Sequence, residues 1–179
     1  MIEVEIKSRV PDIEIIEQKI INLGASLIGI EHHKDIYYNA PHRDFAETDE
    51  ALRVRYKNNN IILTYKGKKL DKVSKSRREI KCKVDENIKE ILSALGFRIV
   101  ATVIKTRKKY GLDDFVIALD KVKSLGTFIE IEGIAKEGEF EATVSNAFKV
   151  LNKLGFGKEN TIRESYLELL LQNTNNFTM

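Results

Sequence analysis

A chain of 179 residues with 42% hydrophobic residues is long enough to bury the core of one domain. Charged residues make up 32% of it, but 30 basic and 27 acidic side chains leave a net charge of only +3. So small a net charge does not indicate the strongly basic surface that is typical of proteins binding nucleic acids or membranes, so neither partner is expected.

The single cysteine and the hydropathy pattern bear on the cellular compartment. Because Cys82 is the single cysteine of this sequence, no disulfide can form within it, as is usual for proteins of a reducing cytoplasm. The residues at alternate positions around Cys82 are apolar, which predicts that its side chain lies in the core. No apolar run reaches the length of a membrane span, and no charged segment precedes an apolar one at the start. We therefore expect a cytoplasmic protein.

The first half of the chain mixes strand and helix signals. Pro11 and Asp12 mark the start of a helix, because proline is favoured near helix starts and aspartate caps them. In chain order, the predicted elements are a strand (2–10), a helix that ends at Gly24, an extended segment (26–38), a polar loop (39–50), a hairpin of two strands (51–57 and 61–66) and a Lys-rich loop (67–76).

The second half continues with strands and closes with helices. Its predicted elements are a strand (77–84), a helix (86–95), three strands (98–110, 114–122 and 127–133), a helix (139–154), a short helix (165–172) and a polar tail (173–179) that is expected to fray. The order predicts a single domain over residues 1–172.

Most strands carry ionisable side chains of both signs at every second position. Successive side chains of a strand point to opposite faces, so Glu3, Glu5 and Lys7 of the first strand share one face. The same test on the later strands defines two sets of residues. The acidic set is Glu3, Glu5, Asp120, Glu130 and Glu132, and the basic set is Lys7, Arg53, Arg55, Lys66, Lys105 and Arg107.

A closed or nearly closed antiparallel barrel would gather these charged faces into a lumen, while helices cover the apolar faces outside. Charges crowded into a lumen are unfavourable unless they are paired or bind ions. Carboxylates suit a hard divalent cation such as Mg²⁺, and Lys and Arg side chains suit a polyphosphate. Both sets in one lumen predict a site for a metal ion and a triphosphate.

Motifs along nearly the whole chain resemble those of the CYTH superfamily, the triphosphate tunnel metalloenzymes. The first, E-V-E-I-K at 3–7, is similar to the ExExK signature of that family. The others, in order, are D-I-Y-Y at 35–38, R-D-F-A-E-T-D-E-A-L-R-V-R at 43–55, L-T-Y-K-G at 63–67, R-R-E at 77–79, K-T-R at 105–107, A-L-D at 118–120, L-G-T-F-I-E-I-E at 125–132 and S-Y at 165–166. The stretch at 43–55 most resembles the class IV adenylate cyclase branch.

The resemblance implies an α+β fold with an eight-stranded antiparallel β-tunnel, helices packed outside it, Mg²⁺ or Mn²⁺ as cofactor, and a homodimer. It also implies that the acidic set binds metal and that the basic set binds the phosphates of the substrate. Within these sets, Glu5, Lys105 and Arg107 are expected to contribute to catalysis.

Three functions remain open at the level of the sequence, and the resemblance of residues 43–55 to the class IV branch favours the first, an adenylate cyclase. A cyclase would convert ATP to cyclic AMP and pyrophosphate, and a triphosphatase would release orthophosphate from inorganic triphosphate, thiamine triphosphate or a nucleotide. Both reactions need the same arrangement of charges. A non-catalytic module that binds polyphosphate or RNA is the third hypothesis, but the aligned acids disfavour it because they repel a phosphate backbone.

Overall fold

The computed structural model of the protein describes residues 2–69 and 77–176, which form a mostly antiparallel β-structure with four α-helices. The strands are β1 (Ile2–Arg9), β2 (Ser26–Asn39), β3 (Ala51–Lys57), β4 (Asn60–Lys69), β5 (Arg77–Val84), β6 (Arg98–Leu112), β7 (Phe115–Val122), β8 (Gly126–Ala135) and β9 (Thr161–Ile162). The helices are α1 (Ile13–Asn22), α2 (Ile88–Ala94), α3 (Phe140–Lys153) and α4 (Tyr166–Asn176). Within the described residues, no helix is both long enough and apolar enough to cross a membrane.

The chain folds as two compact units. The first unit contains the residues up to Glu31 together with Lys105–Glu164, and the second contains His32–Ile104 and the residues from Ser165 onwards. The long strands β2 and β6 each begin in one unit and end in the other.

In the first unit, hydrogen bonds join five strands in the order β6-β7-β8-β1-β9, each antiparallel to its neighbour. The apolar faces of these strands pack against α1 and α3. The buried residues of this core include Val4, Ile6, Ile117, Leu119, Ile129 and Ile131 from the strands, and Ile16, Ile20, Ala147, Leu151 and Leu154 from the helices. Burial of each large aliphatic side chain contributes about 1.5–3 kcal/mol, and it turns the charged side chains of the same strands to the opposite face.

Helix α1 begins and ends where the sequence predicts. The side chain of Asp12 accepts a hydrogen bond from the amide of Ile15 at 3.0 Å, which satisfies one of the free amides of the first turn. The helix is followed by Gly24, whose φ of +88° is a conformation that glycine adopts without strain.

In the second unit, four antiparallel strands follow one another in the order β5-β4-β3-β2, and α2 packs on their apolar face. The buried residues of this core are Ile36, Tyr38, Phe45, Leu52, Val54, Ile88 and Leu92. Phe45 comes from the polar loop between β2 and β3. Glu50 fixes the end of that loop, because its carboxylate accepts hydrogen bonds from Arg43 at 2.8 and 2.9 Å and also from Tyr65.

The predicted α+β class is confirmed, and each predicted strand and helix is present with its ends displaced by a few residues. The two-residue strand β9 adds a ninth strand to the predicted eight. Helix α4 continues through residues 173–176, which were expected to fray, and residues 177–179 lie outside the described part of the chain. Most of the predicted Lys-rich loop, residues 70–76, also lies outside it, and the single domain over residues 1–172 stays a prediction.

The predicted core position of Cys82 is wrong, because its side chain is exposed. Cys82 lies on β5, opposite Leu63 of β4. In the order β5-β4-β3-β2, β5 has a neighbouring strand on one side only. The alternation of polarity identified the apolar face of β5 correctly, but it carries no information about how far the cover of that face extends.

Close packing between β7 and β8 depends on a glycine. Gly133 lies opposite Phe115, and a Cβ atom at position 133 would come within 2.7 Å of the Phe115 ring. We expect Gly133→Ala to displace this ring and to lower the free energy of unfolding by about 1–3 kcal/mol in a denaturant titration. The control is Gly29→Ala on β2, where an added Cβ would meet no atom within 4 Å. Equal stabilities of the two variants would contradict the prediction.

Candidate functional site

Strands β1 and β8 place acidic and basic side chains directly opposite one another in the first unit. Lys7 lies opposite Glu130, and Glu5 lies opposite Glu132, so all four project from the same face. The ammonium Nζ of Lys7 lies 3.3 Å from Glu130 Oε1 and 3.8 Å from Glu5 Oε1. It also donates a hydrogen bond to the carbonyl oxygen of Glu164 at 3.1 Å. Lys7 is only 3% exposed, so its charge is buried among carboxylates.

Arg107 of β6 is the centre of the network on this face. Its Nε and Nη2 atoms donate to the two oxygens of Asp120 at 2.7 and 2.6 Å, and Nη1 donates to Glu132 Oε1 at 2.8 Å. Nη2 also contacts the carboxylate of Glu130. Lys105 donates from Nζ to the Oδ2 atom of Asp120 at 2.8 Å. One guanidinium therefore joins three carboxylates from two strands, and a second cation shares one of them.

A small residue lies within this network. Ala118 of β7 is fully buried, and the strand register places it between Lys109 on β6 and Glu130 on β8. Side chains directly opposite one another in adjacent strands share one face, so a larger side chain at position 118 would occupy the space over which Arg107 reaches Glu130. The alanine thus leaves room for the bonds that cross β7.

Burial controls the proton affinities of the network. Burial alone would raise the pKa of Asp120, whose side chain is 0% exposed, but the hydrogen bonds from Arg107 and the charge of Lys105 outweigh it and hold that pKa well below its usual range. Burial lowers the pKa of Lys105, although the charge of Asp120 opposes this effect. Burial would also lower the pKa of Arg107, but its bonds to Asp120 and the charge of Glu130 raise it. Arg107 and Asp120 are therefore both ionised.

The remaining carboxylates repel one another. Burial raises the pKa of Glu132, and the charges of Glu130, Glu5 and Glu3 raise it further, while Arg107 opposes the shift. A hard divalent cation with oxygen ligands would relieve this repulsion, so the chemistry of the donor set fits Mg²⁺ or Mn²⁺. As the side chains lie, however, no group of three or more His, Cys, Asp or Glu residues in the described part of the chain is arranged to hold a metal ion. Their oxygens face the cationic groups of Arg107 and Lys7 instead.

The second unit contains a separate cluster on β2 and β3, centred on Asp35. This buried carboxylate lies opposite Arg55 and accepts from its Nε and Nη2 atoms at 2.7 and 2.6 Å. Arg53 lies two residues along β3, with Nη1 3.7 Å from Asp35 Oδ2. The guanidinium of Arg55 is thereby held in one orientation, because its Nε and Nη2 atoms each donate to a different oxygen of the Asp35 carboxylate.

Lys66 belongs to a third group, on β4 and β5 of the same unit. Glu79 lies 2.6 Å from Lys66 Nζ and 2.8 Å from Lys81 Nζ. Burial would raise the pKa of Glu79, but the hydrogen bonds from Lys66 and Lys81 lower it to about 2. Both lysines thus share one ionised carboxylate at neutral pH.

This lowered pKa predicts how stability depends on pH. The folded-state pKa of Glu79 lies below its usual value, so the contribution of Glu79 to stability is present above about pH 4.5 and is lost as the pH falls toward 2. We expect Glu79→Gln to lower the free energy of unfolding by about 1 kcal/mol at pH 7, because the side chain is 22% exposed and solvent weakens its ion pairs. Denaturant titrations at pH 7 and pH 2.5 measure the difference. The control is Glu90→Gln on the exposed side of α2. A loss of stability that is equal at both pH values would contradict the prediction.

The structure brings most of the predicted residues together within their own unit. In the first unit, one face carries Glu5, Lys7, Lys105, Arg107, Asp120, Glu130 and Glu132. Glu3 is exposed on β1, and its link to this group is its charge, which acts on Glu132. In the second unit, Arg53 and Arg55 lie together at Asp35, while Lys66 lies at Glu79.

The sequence analysis did not assign Asp35 to the site, although the D-I-Y-Y motif at 35–38 begins with it. Its signal was present, because His33, Asp35 and Tyr37 alternate with the apolar residues Ile36 and Tyr38 along β2. The alternation test applied to the other strands would have placed Asp35 on the charged face. Glu79, whose role was left open at the sequence level, is the acid that pairs with Lys66.

The chain is similar to known proteins over nearly its whole length. The family model of the CYTH domain matches residues 1–166. A protein of Methanocaldococcus jannaschii named "Putative adenylate cyclase" is 41% identical over 172 residues, which are 94% of this chain and 98% of that protein. The solved structure of a protein from Pyrococcus horikoshii OT3 is 43% identical, with a TM-score of 0.84 over 96% of this chain and 99% of that one.

A more distant structure shares the fold alone. It is described as a "Putative adenylyl cyclase" from Hippeastrum that "reveals a dominant" triphosphatase activity, and it is 18% identical with a TM-score of 0.63 over 85% of this chain and 88% of that one. Both solved structures share the fold of this chain over most of its length.

Proposed function

The chain belongs to the CYTH domain family, and on that basis we propose that it is a divalent-metal-dependent enzyme acting on a triphosphate. The proposed reaction is that of an adenylate cyclase, the conversion of ATP to cyclic AMP and pyrophosphate. A relative that is named "Putative adenylate cyclase" and is 41% identical over 172 residues supports this choice of reaction.

The observation that carries the proposal is the buried network around Arg107. Lys105, Arg107 and Asp120 have side chains that are at most 9% exposed. Burying several charges usually contributes less to stability than apolar side chains of similar volume would. Ion-pair networks at such a position are typical of functional sites, where charged groups are held ready for a charged ligand.

The cations of the network can exchange one set of anions for another. In the proposal, Lys105 and Arg107 bind phosphate oxygens of the substrate and thereby leave the carboxylates they now contact. The remaining predicted phosphate ligands are Lys7, Arg53, Arg55 and Lys66. The planar guanidinium groups of the arginines suit two-point contacts with a phosphate, whereas each lysine contributes a compact charge.

The carboxylates released in this exchange are the proposed ligands of the metal. These are Asp120, Glu130 and Glu132, and the predicted ligands Glu3 and Glu5 are proposed to join them, since the hard oxygens and mutual repulsion of these acids fit Mg²⁺ or Mn²⁺. When bound, a divalent ion neutralises phosphate charge and makes a hydroxyl or water a better nucleophile. Glu5, Lys105 and Arg107 are the residues that we place in the catalytic machinery.

A triphosphatase is the second candidate, since the same groups could present water to a terminal phosphate. The activity described for the Hippeastrum protein favours it, although that protein shares only the fold with this chain. A passive module that binds polyphosphate or RNA is the third candidate. The acidic side chains beside Lys7 and Arg107 disfavour such a module, because they would repel a phosphate backbone in the absence of metal.

The products of turnover separate these candidates. The protein is incubated with ATP, inorganic triphosphate or thiamine triphosphate, each with Mg²⁺ or Mn²⁺, and the products are resolved. Cyclic AMP and pyrophosphate identify a cyclase, whereas orthophosphate identifies a triphosphatase. Binding that persists in EDTA without turnover of any of the three substrates would overturn the proposal of an enzyme.

We also propose a cytoplasmic homodimer. Leu27, Ile28 and Ile30 of β2 are each about half exposed, and adjacent exposed aliphatic side chains are typical of surfaces that another chain covers. The single cysteine agrees with a reducing compartment. Light scattering of the purified protein tests the dimer, and a monomeric mass at micromolar concentration would overturn it.

A further inference from the structure

A row of polar side chains crosses three strands of the second unit. The strand register places Tyr37 of β2 opposite Arg53 of β3, and Arg53 opposite Thr64 of β4. Directly opposed residues of antiparallel strands share one face, with Cβ atoms about 4.5–5.5 Å apart. Lys66, two residues further along β4, projects from the same face as Thr64.

Two polar atoms in this row lack partners. Thr64 is 0% exposed, and its hydroxyl has no hydrogen-bond partner among the residues that the structure describes. The Nε atom of the neighbouring Arg53 is also buried without a partner in the described part of the chain. Buried donors almost always find a partner, so two adjacent exceptions need an explanation.

The fold alone gives no reason for a hydroxyl at position 64. Valine has nearly the volume of threonine and the same preference for strands, and it would place no unsatisfied polar atom in the interior. Relative to valine, the hydroxyl of Thr64 therefore lowers the stability of the fold. A group that lowers stability at a charged face is typical of a binding site.

An anionic oxygen would satisfy both of these polar atoms. An arginine Nε–H can only donate, and a threonine hydroxyl can donate in the same direction, so the partner of both must accept two hydrogen bonds. Arg53 and Lys66 place positive charge on this face, which favours an anion over a neutral acceptor. Asp35 accepts hydrogen bonds from Nε and Nη2 of Arg55 and lies 3.7 Å from Nη1 of Arg53. These contacts do not use Nε of Arg53, so that atom can donate to another acceptor.

We propose that Thr64 is a substrate-binding residue whose hydroxyl donates to a phosphoryl oxygen that also accepts from Nε of Arg53. This inference rests on the proposed function, because it names a further phosphate ligand beside Arg53, which that function assigns to the substrate. The pattern of the sequence assigned charged residues only, and it passed over a neutral side chain with the same capacity to donate.

The test uses Thr64→Val, with inorganic triphosphate and Mg²⁺ as the probe and the whole protein in each titration. Valine should leave the thermal midpoint unchanged or raise it, and the dissociation constant measured by calorimetry should rise about tenfold, since one hydrogen bond to a charged group is lost. Thr64→Ser, which keeps the hydroxyl, should bind the probe with nearly the affinity of the unaltered protein.

Thr127→Val is the matched control. The hydroxyl of Thr127 donates to the carbonyl oxygen of Val10 at 2.6 Å, so this variant should lose stability and keep its affinity for triphosphate. If Thr64→Val instead loses stability to a similar extent, or binds triphosphate as the unaltered protein does, the inference is overturned. If the unaltered protein itself does not bind triphosphate, the proposed function fails, and the role of Thr64 fails with it.

Discussion

Arg107→Ala is expected to abolish turnover and to lower the free energy of unfolding by about 3–5 kcal/mol, the usual effect of removing one partner from a buried ion pair. The variant removes the forked contact with Asp120 and leaves its pair with Lys105, and it leaves Glu130 and Glu132 without the guanidinium that joins them. Denaturant titration measures the stability, and product formation from each of the three triphosphates measures the activity.

Two further variants show whether the effect depends on the network. Arg107→Lys keeps the charge but cannot make the forked contact with Asp120, so it should recover part of the stability and little of the activity. Arg98→Ala removes an exposed arginine from the same strand and should change neither quantity. If Arg107→Ala were as stable as Arg98→Ala, the buried network would not hold this part of the fold together.

Glu132→Gln is expected to separate activity from stability. Burial and the neighbouring acids raise the pKa of Glu132, which means that its ionised form is disfavoured in the folded protein. The neutral amide removes that repulsion, so the thermal midpoint should stay the same or rise. If Glu132 binds the metal, Glu132→Gln should lower turnover by more than about 100-fold. Substituting a residue that only hydrogen-bonds to a metal ligand already lowers metal affinity or activity by up to about 100-fold.

The control for this variant is Glu137→Gln, which alters an exposed acid of the same unit. It should leave both the midpoint and the turnover unchanged. Activity of Glu132→Gln equal to that of Glu137→Gln would remove Glu132 from the proposed metal site. A large loss of stability in Glu132→Gln would show that its ion pair with Arg107 outweighs the repulsion.

The sequence predicted the faces of the strands well, because the side-chain period of a strand is two and needs no knowledge of the neighbours. Lys7, Arg107 and Glu130 were therefore assigned to a charged face before any contact was known. The partners within that face could not be predicted in the same way. Arg107 reaches Glu130 across the small side chain of Ala118, and such a contact depends on the register of three strands at once.

The residues that sequence reasoning missed share a physical reason. The residues next to Asp35 on its face of β2 are His33 and Tyr37, so the alternation there is less evident than on strands rich in Lys and Glu. Thr64 carries no charge, and only the lack of a partner for its buried hydroxyl in the described structure singles it out. Cys82 was misplaced because a pattern within one strand does not show where a sheet ends.

The pairing of β1 with β8 has a consequence for synthesis on the ribosome. Ile6 pairs with Ile131, so β1 leaves the exit tunnel more than about a hundred residues before its partner exists, and the first unit can close only late. An unpaired strand is prone to associate with other nascent chains, but the alternating charges of Glu3, Glu5 and Lys7 oppose such association. Charges that we assign to ligand binding in the finished protein would thus act earlier as protection against aggregation.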